Sequence, residues 1–430
     1  MTLEPVHIKA ISTMVARIDS MSEDEDPEKA PEIFELLSEL EYDGKVVLKA
    51  LGKLFRGKVD IDRMSLAKDP FEKTYSCDSG STNPISFNSG LYVDLCHCSI
   101  ASTPTDIEMH SKWTMVMSSY SPSTAMVIDT TGGWERFDGN EGRASIVRIR
   151  PGLLKKRVER LVHNIALYLS ESEHILWLMD RFDENSFFIM DGPIYPKQLM
   201  YWMVVESEDV QIRDDENAKQ ILQNYVDIMD HHIGNKRPLI GFVKNPEDMQ
   251  IMITLRKKHG MSDLPWLRDS QFFKNVLSPG AEEGRGKGVP EGKSSRLITY
   301  TNWFLQPNQF YENMMDSTSL MLAPEMELEH RFPKEDYAIT FFMVFVPSLD
   351  VLFKVEAPYG ITKDEQMRDL MTRKVLHDIA VNGIPMTLSK ADSLAKIRIV
   401  EKKLIKGMFK DQKIDTIYND VRWGESTDDQ

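Results

Sequence analysis

The sequence predicts an α/β protein built on a mixed sheet, with a helical extension at the N-terminal end and helices inserted between later strands. Three observations predict it. From Phe71 the texture turns from helical spacing to strand-like runs. A long helical pattern over about 151–181 is followed by the short apolar run Phe187 to Met190, the signature of a buried strand. Both that run and the earlier strand-like Thr74 to Cys77 end in an aspartate beside small, turn-forming residues. With 430 residues, 41% hydrophobic and 28% charged, the chain has enough apolar material for a core, and overall disorder is excluded. No apolar run approaches the roughly 18 residues of a membrane-spanning helix. Met1 to Lys9 lacks the basic and apolar regions of a secretion signal, so an intracellular, cytoplasmic protein with no membrane partner is expected.

In chain order, Ile8, Ile11, Met14, Val15 and Ile18, then Ile33, Leu36, Leu37 and Leu40, recur at helical spacing and predict a helical segment over 1–66, interrupted by the acidic connector Ser22 to Glu32. The remainder, 67–430, reads as one domain. Its first part predicts strands over Thr74 to Cys77, Gly90 to Ala101 and Trp113 to Tyr120, with a Thr-Gly-Gly turn at 131–133. Pro151 opens the long helix. Residues 196–335 read largely as an insertion, with helices over Ala218 to His231 and Met249 to Lys258, a buried strand over Leu239 to Val243, and a glycine- and charge-rich loop at 279–295 expected to be mobile. That loop lacks the glycine spacing of a phosphate loop, since Lys287 stands where a glycine is required. Strands over Leu297 to Phe304, Tyr337 to Val346 and Val351 to Val355, then helices over about 364–381 and 389–410, close the chain.

Charge and cysteine content narrow the function. The formal charge of −15, from 52 basic and 67 acidic residues, argues against a surface coated for nucleic-acid binding; any such ligand must enter a local basic channel or be delivered by a partner. Cys77, Cys96 and Cys98 cannot form an even disulfide framework. Cys96 and Cys98 share one strand face while His97 points to the other, so Cys-His-Cys does not predict a zinc site.

The residues that can carry chemistry are carboxylates. An ionised aspartate at the mouth of an apolar strand is costly without a compensating cation, and Asp78 and Asp191 on one sheet are the minimum for an oxygen-lined metal site. Asp-Gly-Pro at 191–193 also reads as an ordinary turn. Glu171 and Glu173, late in the long helix, can bring one more carboxylate to the same edge, and spacing does not choose between them. Such a cluster suits Mg²⁺ or Mn²⁺ and phosphodiester hydrolysis, and a helix-borne glutamate between two strand-end aspartates is the arrangement of ribonuclease H-like nucleases. His231-His232 read as exposed, Glu356, in a strand with Lys354, as a member of a cross-strand ion pair or a support to the site, and Arg256-Lys257-Lys258 as a solvated helix end or a channel lining.

Taken together, CDSGSTNPISFNSGLYVDL (77–95), LYLSESEH (167–174), FFIMDGPIYPKQL (187–199), PLIGFVKNP (238–246), TYTNWF (299–304), FKVEAPYG (353–360) and DVRWGE (420–425) resemble the NurA family of DNA end-processing nucleases, in its euryarchaeal form, over nearly the whole chain. The resemblance implies a ribonuclease H-like core, a ring-shaped homodimer, Mn²⁺-dependent cleavage of single- and double-stranded DNA ends, and a HerA-type hexameric translocase as partner in double-strand break resection. It implies metal-binding roles for Asp78, for Glu171 or Glu173, and for Asp191. The family's C-terminal tyrosine and histidine fall on Ile384 and Asp392, and Asp392, expected near the start of a helix, is the candidate replacement for the histidine. The departure at these two positions leaves a non-catalytic ring or adaptor for the translocase as the competing reading.

Overall fold

The computed structural model describes residues 3–22, 29–82, 84–87, 91–110, 113–120, 135–139, 142–148, 158–204, 215–261, 264–278, 296–311, 314–317, 322 and 327–411. The turn at 131–133, the loop at 279–295 and the motif at 420–425 lie outside the described residues.

A mixed sheet of 15 strands runs through these residues. Its centre is formed by β1 (Lys73–Ser81), β2 (Tyr92–Thr103), β3 (Trp113–Tyr120), β4 (Glu135–Gly139), β5 (Gly142–Arg148), β6 (Ser186–Asp191), β7 (Leu239–Val243), β8 (Ile339–Val346) and β9 (Val351–Pro358). Their order across the sheet is β8, β9, β7, β6, β1, β2, β3, β5, β4. β6 runs parallel to both β1 and β7, whereas β2 is antiparallel to β1 and β9 to β7. All eight residues of β8 are buried and the apolar body of β6 is buried from Ser186 to Met190, because strands covered on both faces cannot alternate polar with apolar.

The helix α1 (Val158–Leu178) joins the β1–β5 group to β6 and lies over β2 and β3. Leu161, Val162, Ile165, Ala166 and Leu169 are buried at the three- and four-residue spacing that faces the sheet. A second helix, α2 (Glu216–Gly234), packs on α1 and is started by Asp215, whose carboxylate accepts from the Ala218 N–H at 3.0 Å. Near the C-terminal end, α3 (Glu365–Asn382) is capped by the Asp364 carboxylate, and α4 (Met386–Ala395) lies against β1 and β2.

Several expectations need correction. The N-terminal segment is not wholly helical: after helices Pro5–Ser22 and Lys29–Leu36 come strands Glu39–Tyr42, Lys45–Ala50 and Arg56–Asp60. Lys45–Ala50 pairs with Phe304–Gln306, itself bonded to β8, so this segment extends the main sheet. Side chains of the first helix that repeat at helical spacing, Val6, Ile8, Ile11, Met14 and Val15, are 46 to 63% exposed and add nothing to the described core. Nor is 196–335 simply inserted, because it contributes β7 to the middle of the sheet. The last helix is two helices, α4 and Ile399–Asp411, broken where Lys396 turns extended.

Candidate metal centre

The parallel register of β1 and β6 builds the centre. Met190 pairs with Cys77, which puts the next residues, Asp191 and Asp78, on adjacent strands at one level. Asp78 lies within β1, which continues to Ser81, so the small residues after it form strand where turn was expected. Gly80 is required there, because a Cβ at that position would stand 2.1 Å from the Ala395 carbonyl oxygen of α4. Asp191 is the last residue of β6. The turn after it crosses β7 so closely that a Cβ on Gly241 would lie 2.6 Å from the Gly192 oxygen and the Ile194 nitrogen.

Electrostatics follow from this crowding. Asp78 is 9% exposed and accepts the Ser79 N–H at 2.7 Å. Burial first, then the neighbouring Asp191 and Glu171 charges, push its carboxyl up to about 8, against the pull of the Ser79 N–H and Lys244. Glu171 of α1 accepts from the Ser79 hydroxyl at 2.5 Å and the Tyr225 hydroxyl of α2 at 3.4 Å. Burial drives it up to about 7, with the Asp191 charge acting in the same direction and the two hydroxyl bonds opposing it. Asp191 has a cationic partner, with Lys244 Nζ 2.8 Å away.

Two residues along α1, Glu173 takes a different environment, as helix positions two apart do not share a face. Its carboxylate is ion-paired to Arg143 of β5, whose side chain is 6% exposed and whose guanidinium lies 5.5 Å from the centroid of the Trp177 ring. The structure thus brings Asp78, Glu171 and Asp191 together and leaves Glu173 outside. The three do not all close to within 4.8 Å of one another.

Asp392 does not join them. It is exposed in the last turn of α4, where the helix end disfavours an anion, while α4 turns Thr387, Leu388, Ala391 and Ala395 inward. Ile384 is partly buried against the core. His232, read as exposed, is 1% exposed and stacks on Phe188, with burial holding its imidazole down at about 3. Arg256 donates to the Trp266 carbonyl and Lys257 lies over Tyr42, so neither is a free channel cation. Cys96 and Cys98 are both fully buried on one face, as expected from strand alternation.

Sequence reasoning expected an ion pair at Glu356 but missed that it belongs to an ionic quartet with Lys354, Lys197 and Asp248 next to the centre. Lys354 Nζ lies 2.5 Å from Asp248 and 2.9 Å from Glu356, and Lys197 lies 2.8 Å from Glu356 and 3.4 Å from Asp248. The remaining Glu356 oxygen accepts the Ile194 N–H at 3.4 Å, fixing the turn that follows Asp191. The signal was present in YPKQL, KNPED and FKVEAP, whose opposite charges border apolar strands.

The family model described as the NurA domain matches residues 72–397. Among solved structures, the chain is similar to the NurA nuclease from Sulfolobus solfataricus, at 12% identity over 96% of this chain and 98% of that one, with a TM-score of 0.45. It is also similar to a NurA solved with manganese, at 11% identity over 94% and 97% with a TM-score of 0.36, and to a NurA bound to dAMP and manganese, at 12% over 92% and 94% with a TM-score of 0.35. Such distant likeness places no side chain of this chain. No curated protein matches the sequence.

Proposed function

As the chain belongs to the NurA domain family, we propose that it is a metal-dependent DNA nuclease whose divalent ion, Mn²⁺ or Mg²⁺, is held by Asp78, Glu171 and Asp191. The observation that carries this reading is the electrostatic state of the site: two carboxyls pushed up to about 8 and about 7 beside a third, with one lysine between them. Excess negative charge in a nearly dry place is relieved by a hard cation with oxygen ligands. When bound, such an ion polarises a phosphodiester and lowers the pKa of a water.

The chain's own residues then divide the work. Ser79 and Tyr225 orient Glu171 through their hydroxyls, and Lys244 balances Asp191 while offering its ammonium to a phosphate oxygen. The strand order β3, β2, β1, β6, β7, with α1 between β5 and β6, supports reading the core as ribonuclease H-like, with the three carboxylates on β1, α1 and β6. The homodimeric ring, the HerA-type translocase and the role in break resection belong to the same reading. They rest on the family and on a net charge of −15, which suits a nuclease fed by a motor.

The test is cleavage of linear duplex and single-stranded DNA by purified protein in Mn²⁺, with and without EDTA. Cleavage that EDTA abolishes supports the reading. Binding to the translocase without cleavage under any of these conditions favours an adaptor.

A further inference from the structure

A second group of ligand-type side chains lies on the β2–α1 side of the sheet. Asp94 and Cys96, two apart on β2, share a face and are both fully buried. His163 of α1 approaches them, its Nδ1 2.5 Å from Asp94 Oδ2, and Cys96 Sγ lies 3.7 Å from the same oxygen. The carboxylate, thiol and imidazole ligand atoms all fall within 4.8 Å of one another. Ser81 Oγ closes the fourth side, 2.9 Å from Asp94 Oδ1 and 3.5 Å from His163 Nδ1.

We propose that Asp94, Cys96 and His163, with the Ser81 hydroxyl at the fourth position, form a binding site for a borderline-soft divalent cation of the zinc class, distinct from the carboxylate centre.

The donor set decides the class. One sulfur, one nitrogen and one oxygen suit zinc, for which tetrahedral N/S/O coordination is usual, and suit Mn²⁺ or Mg²⁺ poorly. A comparison within the molecule separates this cluster from a mere ion pair. Asp69, His377 and Asp378 also present ligand atoms within 4.8 Å, but Lys374 Nζ sits there already, 2.6 Å from Asp69 and 2.9 Å from Asp378. Among the described residues no ammonium or guanidinium pairs with Asp94, whose only ionisable partner of opposite sign is His163. The Ser81 and Thr82 hydroxyls and the Cys96 thiol also donate to this fully buried carboxylate but carry no charge, and such a group fits a site completed by a cation. His163, with a side chain 27% exposed, provides the way in. Binding releases the Cys96 thiol proton to solvent, together with the Nδ1 proton of His163 where the imidazole is charged, and leaves His163 neutral with its remaining proton on Nε2 and its Nδ1 on the metal. The ion would clip α1 to β2 about two helical turns before Glu171 and so fix the height of that glutamate.

The experiment is a cobalt titration of the full chain after chelator treatment, and it does not depend on nuclease activity. One equivalent of Co²⁺ per chain, giving a thiolate-to-cobalt charge-transfer band that Zn²⁺ displaces, supports the site. The band should vanish in Cys96→Ser, weaken by at least about tenfold in affinity in His163→Gln, and persist in Asp191→Asn. Absence of the band in the parent overturns the proposal and leaves a hydrogen-bonded network. Its survival in Cys96→Ser overturns it as well, by moving the ligand to Cys77 or Cys98. Should Cys96→Ser fail to fold, X-ray absorption at the cobalt edge of the parent decides: one sulfur among nitrogen and oxygen supports the site, and no sulfur overturns it.

Discussion

Two charge clusters stand side by side, one on β1, α1 and β6, the other on β9 and the segments that follow β6 and β7, and they have opposite character. In the quartet, two lysines face one aspartate and one glutamate. Although burial acts upward on Asp248 and Glu356, the Lys197 and Lys354 ammoniums hold both carboxyls below their ordinary values. At Asp78, Glu171 and Asp191 three carboxylates share one lysine, and burial with mutual repulsion holds Asp78 and Glu171 up. Within one fold, charge balance suits the first cluster to a framework role, and charge excess in the second is what the proposed cation would relieve.

The comparison breaks most sharply at the aspartates. Asp78→Asn and Asp191→Asn should each lower Mn²⁺-dependent cleavage on the order of a thousandfold, since losing a metal-bound carboxylate removes several kcal/mol of charge stabilisation. Metal-free Asp78→Asn should nevertheless melt no lower than the parent at pH 8.5. Wild-type cleavage by either variant would end the assignment. In the quartet the expected loss is of stability: Glu356→Gln leaves the buried Lys354, and the partly exposed Lys197, short of a counter-charge and should cost about 3–5 kcal/mol in urea unfolding.

The two glutamates of α1 sharpen the contrast on a single helix. Glu171→Gln should reduce cleavage at least about a hundredfold with little change in melting temperature, because its partners Ser79 and Tyr225 can also bond an amide. Glu173→Gln should do the reverse, costing on the order of 1–3 kcal/mol by weakening the partner of a nearly buried Arg143 while the folded fraction cleaves normally.

pH separates the clusters next. Folded-state values of Asp78 and Glu171 lie above those of an unfolded chain, so the stability these groups lend is complete below the ordinary carboxylate range and is lost as pH rises through about 7 to about 8. Metal-free protein should therefore lose stability across that window, and Mn²⁺ affinity measured by calorimetry should rise across it as the ion replaces protons. A flat affinity from pH 6 to pH 9 would refute the assigned titrations. The smallest effect belongs to Asp392→Asn, which should cleave within about twofold of the parent at any Mn²⁺ concentration, as expected for a surface substitution outside the centre.

What the sequence made legible follows the same physics. Continuous apolar runs such as Phe187 to Met190, Leu239 to Val243 and Ile339 to Val346 announced the strands buried on both faces. Asp78 and Asp191 announced themselves by interrupting such runs. The strands at Glu39–Tyr42 and Lys45–Ala50 did not, because they are short and Leu40 also fits the helical spacing of Ile33, Leu36 and Leu37. Glu171 and Glu173 could not be separated because Arg143, which claims Glu173, comes from another strand. Of the quartet, Lys354 and Glu356 are neighbours on one face of β9 and left a local trace, whereas Lys197 and Asp248 come from the segments after β6 and β7, and His163 finds Asp94 only through the packing of α1 on β2. Those last pairings are tertiary.

The parallel register that sets Asp191 beside Asp78 joins strands separated by over a hundred residues of chain, with α1 lying between them in sequence. Loop closure on that scale is unfavourable until the whole intervening unit is in place, so this pairing belongs among the slow steps of folding. Helical signal from α1 to α4 will return early in refolding, and affinity for the ion will return last. Acquisition of metal affinity is therefore a clock for completion of the sheet.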